Sequence, residues 1–461
     1  MSAIATILTL ALVAGLFYLN REKGETTSRA LWIPVFWLLI VSSRPVTDWL
    51  HINREITLED RYTEGSPLDA AYFGILVMAS IFILNRRSVH VKSFVQANLP
   101  ILLFFFYCGL SVIWADSPAV AMKRWIKAVG DVAMVLVVLT DPNPRLAIRR
   151  VFERVGFVLL PLSILFIKYF PSMGSFYDPV DHVMMYFGVT LIKNLLGVTA
   201  MFCGLGSLWL FLGAYQDRAR PNRVRVLIAH GTVVAMALWL LVKADSMTSL
   251  SCFGLAGALM VLASAKWVMQ RPPVVLLLVA GAVGVALFAL FVDTGGSMVQ
   301  SLGRNSTLTG RTQIWAAVLA QRINPVLGTG FESFWMGNRM QSVWSLSQAG
   351  IEEAHNGYLE LYLNLGWVGL TLLGALVVSG YRNALELFRR DPVAGRLRVA
   401  FLTCGVIYSF TEAGFRMMSP VWIGFLLAIM AVPDRSMTSV QSGDDFPLRQ
   451  PVLRRRMRVL Q

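Results

Sequence analysis

"EEAHNGYLELYLNLGWVGL", residues 352–370, passes from a polar stretch carrying the chain's last histidine, His355, into a run too apolar for anything but a lipid-facing or deeply buried helix. The same pattern recurs along the chain. Apolar residues gather in about thirteen blocks of roughly 15 to 22, the length of a helix crossing a hydrocarbon layer roughly 30 Å thick. The blocks begin near Ser2, Ala30, Pro67, Asn98, Met122, Val151, Asn194, Val226, Ser249, Pro273, Gly357, Ala400 and Pro420. Twelve or fourteen spans stay open, because "SSRPVTDW" (42–49) cuts the second block short and the last two are brief. No polar/apolar alternation marks an outer-membrane barrel, and backbone groups in lipid must pair internally, so the spans are expected to be helices. The fold class is therefore all-α, a polytopic transmembrane helical bundle with one large exported loop containing short helices. The first block, with no basic residue ahead of it and no clear small-residue cleavage site, reads as a retained span.

Of the 461 residues, 56% are hydrophobic and 15% charged, and the net charge is +14. The sorting of the basic residues is more informative than their excess. Loops such as "NRRSVHVK" (85–92), "DPNPRLAIRR" (141–150) and "QDRARPNRVR" (216–225), with the tail ending "PVLRRRMRVLQ", hold much of the Lys and Arg. All fall on one side of a thirteen-span chain. By the positive-inside rule that side is cytoplasmic, the N-terminus faces out and the C-terminus in, and helical spans place the chain in an inner or plasma membrane. Topology and anionic-lipid contact account for the basic balance, and no aromatic-basic interleaving suggests nucleic acid. The expected layout is about ten spans in 1–292, a large periplasmic loop at 293–356, further spans in 357–432 and a basic cytoplasmic tail at 433–461. Cys108, Cys203, Cys252 and Cys404 sit singly in different apolar blocks, which argues against disulfides and thiolate metal sites.

The long loop is the candidate working part, since ordered loops much beyond about 15 residues tend to be functional. Within "LTGRTQIWAAVLAQRI" (308–323), Ile314, Trp315, Val318 and Leu319 have the spacing of one apolar helix side, with Thr307, Thr309 and Gly310 as caps. Such a helix would lie along the membrane surface or over the bundle. In "NPVLGTGFESFW" (324–335), Pro325, Gly328 and Gly330 predict a turn whose backbone closely approaches something else.

"GRTQIW" (310–315), "PVLGTGFESFW" (325–335) and "AHNGYLELYLNLGWVGL" (354–370), in that order, resemble the bacterial O-antigen ligase and polysaccharide polymerase superfamily. The resemblance extends to "ADSPAVAMKRWIKAVGDV" (115–132), "KNLLGV" (193–198), "DSMTSL" (245–250) and "TEAGFR" (411–416), and "SRPVTDWL" (43–50) looks like the exopolysaccharide-polymerase branch. It implies a multi-span glycosyltransferase on the outer leaflet that moves oligosaccharide from undecaprenyl pyrophosphate to an acceptor hydroxyl. Arginines would hold the pyrophosphate and a histidine would serve the acceptor; by motif position these are Arg311 and His355. Ile192 ahead of Lys193 departs from the acidic-Lys-Asn form of the family. The implied partners are the lipid-linked oligosaccharide, an acceptor glycan, membrane lipids, a chain-length regulator and export machinery. No cofactor or metal is expected.

Breaking the bond from C1 to a phosphate oxygen leaves negative charge on the departing group, so the site must neutralise charge and accept a proton. No carboxylate pair at metal-ligand spacing stands out; Asp178 and Asp181 come nearest. Guanidinium and ammonium groups can take the cation's place. Arg311 lies in the first turn of its helix, where the N-terminal dipole reinforces anion binding. Arg124 and Lys127 lie about a turn apart at the outer end of a span, and Lys193 at another; phosphate contact and headgroup anchoring both suit them. His355 offers a neutral imidazole as general base, with Asn356 beside it as a substrate contact and Glu352 placed to orient the ring if the helix starts early. Glu412 and Arg416 read as an ion pair one turn apart, with substrate contact second, and Asp131 should meet Lys, Arg or a polar pocket in the bundle.

The leading function is an inverting, metal-independent exopolysaccharide polymerase. The runner-up is a ligase delivering glycan to a lipid A core. A polysaccharide-lipid carrier would show inverted repeats and helices broken near the midplane, and a non-enzymatic assembly protein would use the loop for docking.

Overall fold

A computed structural model describes residues 1–21, 26–52, 66–87, 91–178, 182–293, 308–347 and 350–432. Helices dominate: α1 Ser2–Leu19, α2 Trp32–Val41, α3 Pro67–Arg86, α4 Leu99–Leu110, α5 Pro118–Leu139, α6 Pro144–Tyr169, α7 Lys193–Gln216, α8 Arg223–Lys243, α9 Met247–Leu262, α10 Pro273–Asp293, α11 Leu308–Leu319, α12 Gly337–Leu346, α13 Gly357–Arg390, α14 Pro392–Tyr408 and α15 Pro420–Ile429. Five of them, α1, α3, α7, α8 and α13, are long and apolar enough to cross a membrane, and shorter apolar helices cover five further blocks. The chain is an all-α polytopic membrane protein.

Among the described residues, each apolar block of the sequence carries a helix, but several helices begin earlier than the hydropathy does. α6 starts at Pro144 and not near Val151, and α14 at Pro392 and not near Ala400. The cause is capping: Asn143 accepts from the Leu146 N–H and Asp391 from the Ala394 N–H, each with proline at the first helical position. The helices reach past the apolar layer into polar surroundings. A short hairpin, β1 Ser175–Asp178 against β2 Val183–Tyr186, is a small exception to the all-helical pattern. Of the two aspartates considered for a cation, Asp178 ends β1 and Asp181 lies outside the described residues. The basic tail from 433 and cap residue Thr307 also lie outside them, as does the side chain of Thr309.

One apolar core runs through the bundle from Leu16 to Met430 and joins helices from both ends of the sequence. Asp131 is a paired polar insertion. Asp131 in α5 accepts from the Trp37 indole at 2.9 Å and from the Met418 N–H at 2.8 Å, which is the polar pocket expected for it.

Contacts between loops sort into two ends. At one, Asp141 takes the Ser28 N–H at 3.2 Å and Arg87 at 3.5 Å, Arg145 pairs with Asp391, and Arg396 bonds Gln216 and Ser264. These are the loops that the sequence assigns to the basic side. At the other end, Arg44 bonds the backbone of Val189 and Gly188, Asp69 holds Val46 and Thr47, Thr248 meets Thr411, and the 324–356 segment packs over α13. The candidate site belongs to this second end.

Candidate active site

The site is built on a break in α13. Gly366 has φ +61, so α13 is interrupted ten residues in, and the "NPVLGTGF" turn lies in the gap. The freed backbone groups are accounted for. Thr329 N–H bonds Leu363 O at 3.1 Å, Gly330 N–H bonds Asn364 O at 2.9 Å, and the Tyr107 hydroxyl donates to Leu365 O at 3.1 Å. In return Trp367 and Val368 donate to Pro325 O and Val326 O at 2.9 and 3.2 Å. Non-helical backbone at membrane depth is tolerated only when buried and paired in this way. The glycines are required by geometry: a Cβ on Gly328 (φ +72) would sit 2.4 Å from the backbone of Asn364, and one on Gly366 would sit 2.3 Å from Val326 O. Gly366→Ala is therefore expected to lose about 1–3 kcal/mol from the left-handed φ alone, with the collision in addition. A thermal melt of the purified protein would show it as a drop of several degrees.

Glu360 and Asn364, four apart on the buried face of α13, fasten the loop to this break. Asn364 Oδ1 accepts from the Ser333 and Phe334 N–H groups at 2.8 and 3.0 Å. Glu360 accepts from the Trp335 indole at 2.7 Å and the Ala354 N–H at 2.9 Å. α11 lies over the bundle, with Ile314 and Val318 packed against Phe334, Trp335 and Leu363. Leu319, expected on the same side, is exposed.

His355 is fixed from both flanks. The Ala354 carbonyl accepts from the Trp315 indole at 2.8 Å, Asn356 caps α13 by accepting from the Tyr358 and Leu359 N–H groups at 3.0 Å, and Gly357 N–H reaches Ser409 O at 2.8 Å. Between these anchors His355 takes φ +47, a left-handed conformation that non-glycine residues adopt where surrounding contacts impose it. Its Nδ1 lies 3.0 Å from Glu412 Oε2 and 3.1 Å from Glu353 Oε1. Nε2 has no partner among the described residues.

Around that ring stand two guanidinium groups. Arg311 Nη2 is 2.9 Å from Glu412 Oε1; Arg416 reaches Glu332 at 3.6 Å and Glu353 at 3.9 Å. Arg124, buried, donates to the Glu332 carbonyl. The side chains of His355 and Arg311 are 28% and 21% exposed while Glu412 is only 8% exposed, so the cationic groups face outward from a buried carboxylate. Burial alone would lower the pKa of His355, but hydrogen bonds and charge from Glu353 and Glu412 outweigh it and raise the value to about 10. Burial pushes Glu353 the other way from its partners, and His355, Arg416 and Arg311 hold it below the ordinary carboxylate range.

Several expectations are corrected by this geometry. Residues 409–419 are not helical, so Glu412 and Arg416 are not paired by a helical turn; their ion pairs run to Arg311 and His355 and to Glu332 and Glu353. Glu353, not Glu352, meets the imidazole, because α13 does not begin until Gly357. The resting imidazole is charged where a neutral one was expected. A carboxylate cluster with metal-ligand spacing does exist, since donor atoms of Glu353, His355 and Glu412 lie within 4.8 Å of one another. Sequence spacing could not show it, as Glu412 comes from a distant segment. Lys127 lies over the Phe73 ring and Lys193 pairs with Asp245 at 3.8 Å, so neither joins the ion-pair cluster directly. Sequence pattern alone does not single out Glu332, Glu353, Glu360, Asn364 or Trp335; two polar residues four apart in the apolar "ELYLN" (360–364) are the available signal.

Arg311, Glu332, Glu353 and His355 lie in a segment shared with known proteins, whereas Arg124, Glu412 and Arg416 lie outside it. Residues 232–374 match the family model described as O-antigen ligase. The chain is also 24% identical over 343 residues to the exopolysaccharide production protein ExoQ of Rhizobium meliloti (strain 1021), covering 72% of this chain and 75% of that protein. Together the matched model and this relative support the O-antigen ligase and polysaccharide polymerase family. Both findings support a membrane enzyme of glycosyl transfer in polysaccharide biosynthesis.

Proposed function

We propose that the protein polymerises undecaprenyl-pyrophosphate-linked repeat units into exopolysaccharide on the periplasmic face of the inner membrane, by inverting transfer without a metal. The observation that carries the reading is the sharing of Glu412 by His355 and Arg311. It joins a proton acceptor to an anion-binding fork at one end of the bundle. In the proposed step the acceptor hydroxyl attacks C1 as its proton passes to His355 Nε2, and the C1–oxygen bond breaks with its electron pair leaving on the pyrophosphate. Arg311 and Arg416 receive that charge, with Arg124, Lys127 and Lys193 adding to the local cationic field and Asn356 holding the acceptor end of α13.

Each carboxylate of the cluster already has a cationic partner, which suits single displacement better than a glycosyl-carboxylate intermediate. The same pairing supports a metal-free site, because a divalent ion at Glu353, His355 and Glu412 would have to compete with Arg311, Arg416 and an imidazolium. The family description favours a second reading, transfer of finished glycan to a lipid A core. The purified protein with lipid-linked repeat units separates them: ladders of multiples mean polymerase, and single transfer to a core acceptor means ligase.

The charge state of His355 gives a signed pH prediction. As a base it must be unprotonated, and the resting value of about 10 means that the active fraction grows as pH rises above neutrality. Transfer should therefore climb between pH 7 and 9. Glu412→Gln removes one carboxylate and should move the inflection to lower pH. Rates that fall steadily over that interval would instead make His355 a third cation for the pyrophosphate.

A further inference from the structure

The end of the bundle opposite His355 holds a second cavity, of about 440 Å³, between α1, α2 and α6. Phe17 and Trp32 supply its apolar lining and Arg150, Arg154 and Glu153 its charged lining. Among the described residues lining it, the two arginines outnumber the one carboxylate. Glu153 is buried and already shared, since Arg149 and Arg150 both pair with it. Arg154 has no carboxylate within ion-pair distance among the described residues, and its Nη1 is buried with no hydrogen-bond partner. The Trp32 ring lies 4.2 Å from the guanidinium carbon, so this unsatisfied donor is held in one place.

Guanidinium groups at a pocket wall suit phosphate oxygens, and Arg150 and Arg154 both line this one. The surroundings indicate what carries the phosphate. Phe17 and Trp32 line the cavity, and Leu8, Leu12 and Tyr18 on α1 are exposed too, so an apolar chain can lie along α1 while its head enters the pocket. This end also bears the basic loops, where anionic lipid headgroups collect. We propose that the pocket is a phosphoanion site occupied by the headgroup of an anionic phospholipid, with Arg154 and Arg150 as its ligands. It involves none of the residues assigned to glycosyl transfer.

The test is native mass spectrometry of the purified full-length protein in detergent, titrated with dioleoyl phosphatidylglycerol, dioleoyl phosphatidylcholine or inorganic phosphate. The wild type should retain one phosphatidylglycerol at least tenfold more tightly than phosphatidylcholine. Arg154→Gln and Arg150→Gln should each bring that preference to within twofold, while Arg390→Gln, at a surface arginine elsewhere, should keep it. Arg150 is partly exposed, so its variant reports even if Arg154→Gln fails to fold. Unchanged preference in folded Arg150→Gln, or no preference in the wild type, would overturn the proposal. Displacement of the lipid by millimolar inorganic phosphate would overturn the lipid assignment and leave soluble phosphate as the source of the anion.

Discussion

Replacing His355 with glutamine is expected to lower transfer by about 10² to 10⁴, the usual contribution of a positioned general base. The protein should stay folded, because the backbone on either side of His355 is held by Glu360, Trp315 and Ser409, not by the imidazole. The substitution removes the charged partner of Glu353 and Glu412, so a modest change in melting temperature should accompany it. Donor affinity should change little beside the loss in turnover. A steady-state assay with lipid-linked repeat units checks both: a large fall in kcat with KM for the donor nearly unchanged fits the base, and a fall confined to KM would assign His355 to binding.

Arg311 should give the opposite split. A charge-assisted phosphate contact contributes roughly 1.5–3 kcal/mol, so Arg311→Ala should cost about 10- to 150-fold in kcat/KM, more if its contact tightens in the transition state. Arg311→Lys should recover little, because an ammonium group does not reproduce the planar fork that meets two oxygens at once. Both variants also leave Glu412 short of one partner. Arg311→Gln combined with Glu412→Gln separates the causes: if the loss came only from the unpaired carboxylate, the double variant would regain activity, whereas loss of phosphate contact leaves it inactive.

How much of this was legible in the sequence differs by level. Hydropathy located the spans because lipid thickness sets block length directly, and it misplaced helix starts most where proline and an Asn or Asp cap extend a helix into polar surroundings. The pairing of Gly328 and Gly330 announced a close backbone approach, but nothing local revealed that the surface approached would be a gap in α13 at Gly366. Arg311 and His355 carried motif positions and were legible. Glu412 was visible as a charge yet assigned to Arg416, since spacing of four residues implies a helical turn only where the chain is helical. Glu332 acquires meaning only when segments far apart in sequence meet, and periodicity carries no information about such meetings. The charge on the imidazole follows from the same meeting, as an isolated histidine titrates near 6.5.

The central claim is that guanidinium groups and one imidazole, at the end of the bundle where α13 is broken, perform the transfer without a divalent ion. Product ladders formed by the purified protein from lipid-linked repeat units in excess EDTA test it most directly. The account predicts ladders of the same length and rate as in magnesium. Ladders that vanish in EDTA and return with a divalent cation would assign Glu353, His355 and Glu412 to a metal and contradict it.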